Sequence, residues 1–170
     1  GRRVRWDVLG TSGPAVVACH GTPWSSRLWR PVAESLAADH RVYLWDMPGY
    51  GESSKEPEHA VSLDVQSELF TDLLRHWDLG TPHVLAHDIG GAVALRAHLL
   101  HDATFASLAL VDVVALSPWG SPFFTLVREN ADVFVQLPDA IHDGVVRAYV
   151  AGAAQEPLAP TTLDALVAPW

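Results

Sequence analysis

Ala15-Val16-Val17-Ala18-Cys19 is a run of five apolar residues with no polar break. A β-strand carries such a run only where both of its faces are covered, as in a parallel sheet flanked by helices. Arg41 to Trp45, His83 to Ala86 and Ser107 to Val114 read as three further buried strands. Helical patterns lie between them. Leu28, Trp29, Val32, Ala33 and Leu36 recur at spacings of three and four after Ser25 and Ser26, either of which can cap a helix. From Ser62 to Leu79, one face is formed by Leu63, Gln66, Leu69, Phe70, Leu73, Leu74 and Trp77, polar only at Gln66, with Gly80 as the expected stop. A small-residue helix is expected over Ala92 to Leu100. Alternation of this kind specifies an α/β fold with a mostly parallel sheet and helices on both faces. Beyond Pro118 the strand pattern does not return, and prolines punctuate helical stretches up to Trp170. The chain therefore divides into a sheet-bearing part, residues 1–116, and a helical part, residues 117–170.

The chemistry concentrates at the carboxyl ends of two of these strands. Ala86-His87-Asp88-Ile89-Gly90-Gly91 passes from strand to helix within a few residues, with small residues two positions either side of Asp88. That is the geometry of a nucleophile elbow, with Asp at its tip. A helix starting there aims unsatisfied N–H groups at the carboxylate and favours its ionised form. The alternative at this point is that Asp88 merely caps the helix. His20-Gly21-Thr22-Pro23 ends the first buried strand, so both turns open on the side where parallel sheets collect ligands. The N–H groups of Thr22 and Ile89 can converge there on a developing oxyanion, a device worth ~3 kcal/mol per donor.

Composition removes several other classes of function. Twenty acidic residues against eleven basic ones give a formal charge of −9, with no basic run, so nucleic acid is not an expected partner. One cysteine, Cys19, builds neither an internal disulfide nor a cysteine zinc site. His98, His101 and Asp102 share a helix face without a third ligand or a zinc-helix motif, so no metal is expected. Neither a membrane span nor a signal-peptide core is present in the sequence, and a cytoplasmic, reducing location is the expectation.

Three motifs together, His20-Gly21-Thr22-Pro23, Asp46-Met47-Pro48-Gly49-Tyr50-Gly51-Glu52-Ser53 and His87-Asp88-Ile89-Gly90-Gly91, make the chain resemble the α/β-hydrolase superfamily. The closest likeness is to its aspartate-nucleophile branch of epoxide hydrolases and haloalkane dehalogenases. The resemblance runs from about Val4 to Val114, followed by what looks like the start of a helical cap. It implies Asp88 as nucleophile, Thr22 and Ile89 as oxyanion donors, and a substrate pocket around His20, Gly21, Pro23, Trp24 and His87. It also implies no cofactor. The family's catalytic His follows the last strand, so the resemblance implies a chain cut inside its cap. Asp112 matches the position of the acid that orients this His in some members and has no role in others. Tyr149 is the one tyrosine in the cap region, where relatives place the acid that protonates an epoxide, with simple packing as its alternative.

The substrate implied is a small apolar organic electrophile. Dehalogenases grip the halide with a Trp after the nucleophile and often an Asn in the first turn, whereas this chain has Ile89 and Thr22. Haloacid-cleaving relatives need an Arg there. An epoxide makes neither demand. Dehalogenation with cap donors such as Trp119 or Trp170, and a noncatalytic hydrolase-fold binding protein, are the competing readings.

Overall fold

The computed structural model describes residues Gly1–Trp170. Its five strands are β1 (Trp6–Leu9), β2 (Ala15–Cys19), β3 (Arg41–Trp45), β4 (His83–Asp88) and β5 (Ser107–Val113). They form one sheet in the order β1-β3-β2-β4-β5. Only the β1–β3 pairing is antiparallel. Three α-helices belong to the same part: α1 (Arg30–Leu36), α2 (Leu63–His76) and α3 (Ile89–Leu100). The chain folds as two compact units, Gly1–Ala115 and Leu116–Trp170.

The pleat explains why unbroken apolar runs were needed in the central strands. Successive side chains of a strand point to opposite faces. Val17 and Cys19 of β2 join Tyr43, Trp45, Phe70, Leu73, Val84 and Val93 in one core, while Val16 and Ala18 join Ala33, Val42 and Leu44 in the other. Trp45 and Phe70 stack at 5.5 Å between ring centroids, tying β3 to α2.

Five elements differ from the sequence expectation. β1 escaped it because four residues, one exposed and three half-buried, paired only with β3, leave little periodic signal. The helix expected after Ser25 is divided: a 3₁₀ turn covers Ser26–Trp29, and α1 begins beyond it with Pro31 in its first turn, where the missing N–H costs nothing. Gly80 does not end α2. Asp78 does so instead, at φ +54°, with the Leu79 N–H donating to the Leu74 carbonyl. β5, expected to be buried, has β4 as its one neighbour and leaves Leu110 and Val111 43% and 50% exposed. α3 also starts three residues earlier than its small-residue pattern indicated, directly at Ile89.

The helical unit contains α4 (Pro122–Glu129), α5 (Ala131–Phe134), α6 (Asp139–Gly152) and α7 (Pro160–Val167). Ser121 caps α4 through the Phe124 N–H, and Arg147 of α6 bonds Asp164 of α7 at 2.7 Å. No helix in the chain is long and apolar enough to cross a membrane.

Two glycine-to-alanine substitutions are expected to act with opposite sign. At Gly90 a Cβ would overlap the His20 carbonyl and lie 2.6 Å from that of Cys19. Gly90→Ala should therefore lower stability by about 1–3 kcal/mol. Gly144 lies inside α6 with nothing within 4 Å of a Cβ. Gly144→Ala should raise stability by about 0.5–1 kcal/mol, because the gain in helix propensity meets no clash. Urea midpoints measure both.

Candidate active site

β2 and β4 are neighbours in parallel register, with Cys19 opposite Ala86, so the segments leaving their carboxyl ends lie side by side. Asp88 ends β4 in a sharp turn, with φ +50° and ψ −125°, and α3 begins at the next residue. Short polar residues tolerate positive φ better than others, though at some conformational cost. Asp88 stands at the N-cap position of α3, yet its side chain makes no capping bond to the helix. Oδ2 accepts a hydrogen bond from the Thr22 N–H at 2.6 Å. The carboxylate is thus held across the gap between the two turns, not folded onto its own helix.

Gly21 permits this approach, because a Cβ there would overlap that of Asp88 and stand 2.6 Å from Oδ2. Gly90 plays the same part on the other side, against the carbonyls of Cys19 and His20. Ile89 is half-buried at the head of α3, where N–H groups have no partner within the helix.

The expected pocket residues divide by environment. His20 is fully buried and both ring nitrogens are engaged. The Met47 N–H donates to Nε2 at 3.0 Å, so Nδ1 carries the proton and donates to the Gly21 carbonyl at 3.0 Å. His20, expected at the pocket, is a buried strut joining the β2 and β3 turns. Burial holds its imidazole below the ordinary range, and its bond to Gly21 and the charges of Asp46 and Asp88 only partly oppose that. Trp24 is buried and its N–H closes the turn onto the Gly21 carbonyl at 2.9 Å, with Pro23 buried beside it. His87 is half-buried, and its Nδ1 lies buried with no hydrogen-bond partner.

Asp112 sits at an irregularity in the β4–β5 pairing, where Val111 faces His87 and Val113 faces Asp88. It is exposed, at φ +46°, one strand away from the elbow. Tyr149 belongs to the helical unit, stacked on Phe123 at 5.4 Å and edge-on to Phe124 at 5.3 Å, which is the packing alternative considered for it. His98 donates from Nδ1 to the Ala103 carbonyl at 2.8 Å, while Nε2 of His101 bonds Ser67, so the two rings are committed to different partners. Cys19 offers no competing nucleophile, since burial pushes its thiol up to about 12.

One residue at the site escaped the sequence reading. The Tyr50 hydroxyl lies 2.7 Å from Thr22 Oγ1. Its sequence context, Pro48-Gly49-Tyr50-Gly51, signals only a turn. What makes Tyr50 part of the site is the pairing of the β2 and β3 turns, which no local pattern encodes.

The His20 strut generates a pH dependence. A buried imidazole that stays neutral while the unfolded chain protonates near pH 6.5 contributes its full stability above that value and loses it as pH falls below. The urea midpoint should therefore fall between pH 7.5 and pH 5. His20→Gln should be less stable at pH 7.5 and show a flatter slope, and an unchanged slope would contradict the assignment.

The profile of the family described by its α/β-hydrolase fold matches residues 14–161. A crystal structure of an α/β-hydrolase-fold protein from Burkholderia ambifaria is similar at a TM-score of 0.96 and 45% identity, over 100% of this chain and 62% of that one. Among curated proteins, a fluoroacetate dehalogenase from Burkholderia sp is 36% identical over 111 residues, which are 63% of this chain and 36% of that protein. Bifunctional epoxide hydrolase 2 from Sus scrofa is 37% identical over 111 residues, 64% of this chain and 20% of the relative. The chain thus spans well under half the length of these curated relatives. With the family profile matched over most of its residues and the fold reproduced throughout, the chain belongs to the α/β-hydrolase fold family.

Proposed function

We propose that this chain carries the nucleophile of a hydrolase that attacks a small apolar electrophile, above all an epoxide, through an ester on Asp88. The observation that carries the reading is the Asp88 carboxylate, presented on a positive-φ strand–helix turn, making no cap and held through Oδ2 by the Thr22 N–H. Relatives named as an epoxide hydrolase and a fluoroacetate dehalogenase support the class.

With Oδ2 held, Oδ1 is the oxygen that attacks. It bonds to one ring carbon of the epoxide, the carbon–oxygen bond breaks, and the electron pair stays on the departing oxygen, which takes up a proton. The product is a hydroxyalkyl ester with Oδ2 as its carbonyl oxygen. Water gives up a proton as it adds to the Asp88 carbonyl carbon, and the negative charge that develops on Oδ2 meets the N–H groups of Thr22 and Ile89; the intermediate then collapses by breaking the Cγ–Oδ1 bond, and Oδ1 leaves with the diol, which takes up that proton. This second step needs a base. The reading takes it to be a histidine outside these 170 residues, with Asp112 as the carboxylate that orients it. Ile89 in place of a halide-binding Trp, and Thr22 in place of an Asn, favour an epoxide over a haloalkane.

Incubation of the chain with styrene oxide and, separately, with 1-bromohexane, followed by intact mass measurement, tests the reading. The epoxide adduct adds the whole reagent, whereas the haloalkane adduct adds its alkyl group in exchange for a proton. The epoxide adduct should form at least about tenfold faster, a difference of about 1.4 kcal/mol in barrier. It should be absent in Asp88→Ala. Labelling by the bromoalkane alone would support dehalogenation, and epoxide labelling that survives in Asp88→Ala would remove the nucleophile.

A further inference from the structure

The turn that holds Asp88 is itself held by a side chain from a different loop. Thr22 does two things at once: its N–H donates to Asp88 Oδ2 at 2.6 Å, and its Oγ1 pairs with the Tyr50 hydroxyl at 2.7 Å. The loop that delivers Tyr50 is strapped from several directions. The Tyr50 N–H donates to the Met47 carbonyl at 2.9 Å and the Gly49 N–H to that of Ser54 at 2.9 Å. Asp46, buried at the end of β3, accepts from the Glu52 N–H at 2.9 Å through Oδ2 and from the Ser26 N–H at 2.7 Å through Oδ1. The remaining strap comes from α2. Gln66, a polar residue on the buried side of that helix, donates from Nε2 to the Pro48 carbonyl at 2.8 Å. A polar break in a packed face calls for a compensating partner, and this partner lies two residues before Tyr50.

We infer that Tyr50 is a positioning residue for the Thr22 oxyanion donor, its hydroxyl fixing Thr22 Oγ1 so that the Thr22 N–H stays aimed at Asp88 Oδ2, with Gln66 anchoring its loop. The inference deepens the reading of Asp88 as nucleophile and rests on it for its chemical consequence.

The electrostatics agree with this role. Burial first, and the charge of Asp88 less strongly, push the Tyr50 phenol above its ordinary range against the pull of its bond to Thr22. The phenol therefore keeps its proton and remains a neutral hydrogen-bonding partner beside a carboxylate. A donor fixed before the reaction needs no reorganisation when charge develops, and this is where an oxyanion site derives its effect. The step that should depend on Tyr50 is the attack on the ester carbonyl, where negative charge grows on Oδ2, more than the alkylation that forms the ester.

Two measurements on Tyr50→Phe, Thr22→Val, the double variant and Thr22→Ser test this. The first is amide hydrogen exchange in the free protein. Tyr50→Phe and Thr22→Val should each speed exchange at the residue-22 amide about tenfold, the equivalent of one neutral hydrogen bond. Core amides such as Val17 and Val84 should be unchanged, and Thr22→Ser should behave as the parent chain. The second is cleavage of the styrene-oxide ester by added hydroxylamine. Tyr50→Phe and Thr22→Val should each slow it about tenfold, with the double variant no slower than either single one, because they remove the same pair. Alkylation itself should change less than threefold. Unchanged exchange at residue 22, equal acceleration at core amides, additive effects in the double variant, or unaltered hydroxylaminolysis would each overturn the inference. If no ester forms on Asp88 in the parent chain, the nucleophile reading fails, and the exchange measurement still decides whether Tyr50 positions Thr22.

Discussion

The hydrogen bond from the Thr22 N–H to Asp88 Oδ2 is the contact around which the rest of this part of the fold is arranged. It joins the ends of two adjacent parallel strands, at 2.6 Å, between a backbone donor and a carboxylate. Bonds to a charged acceptor are stronger than neutral ones. This one forms only because both turns come unusually close. Gly21 faces Asp88 with no side chain, and Gly90 lets the first turn of α3 settle on the carbonyls of Cys19 and His20. His20 then fixes the spacing from below, bridging the β2 turn to Met47 at the end of β3. Without these three residues the elbow would still turn, but its carboxylate would be free to fold back as a cap.

The same logic orders the chain outward from the site. β2, at the centre of the sheet, supplies one half of the elbow's setting and is buried on both faces by residues that alternate between two cores. Asp46 and Ser53 use buried polar bonds to secure the loop after β3, the carboxylate accepting two backbone N–H groups and the Ser53 hydroxyl donating to the Asp46 carbonyl at 2.6 Å. Asp46 and Ser53 are both buried, and these bonds offset the cost that burying such groups would otherwise carry.

Much of this was legible in the sequence because local patterns carried it. A five-residue apolar run marked β2, Val42 to Trp45 marked β3, the i, i+3, i+4 pattern marked α2, and small residues around Asp88 marked the elbow. What escaped depended on tertiary pairing. β1 is four residues long and takes its identity from β3 alone. Ser107 to Val113 has the composition of a buried strand, and its exposure follows from its place at the end of the sheet order. Gly80 looked like the end of α2, yet Asp78 accepts the left-handed conformation two residues earlier. Tyr50 reads as a turn residue until the second and third strands are placed side by side. Gln66 did stand out as a polar break, although the carbonyl it serves lies 18 residues away along the chain.

The central claim is that a carboxylate oxygen of Asp88 becomes part of the product. Conversion of styrene oxide by this chain in H₂¹⁸O tests it most directly, with the adduct released by water at mildly alkaline pH and both the diol and the Asp88 peptide analysed by mass. Hydrolysis of an ester at its carbonyl carbon places the solvent oxygen on the acid and leaves the alcohol oxygen untouched. The account predicts ¹⁸O in the Asp88 peptide and none entering the diol in the first turnover. A diol carrying ¹⁸O from a single pass, with an unlabelled Asp88 peptide, would contradict it.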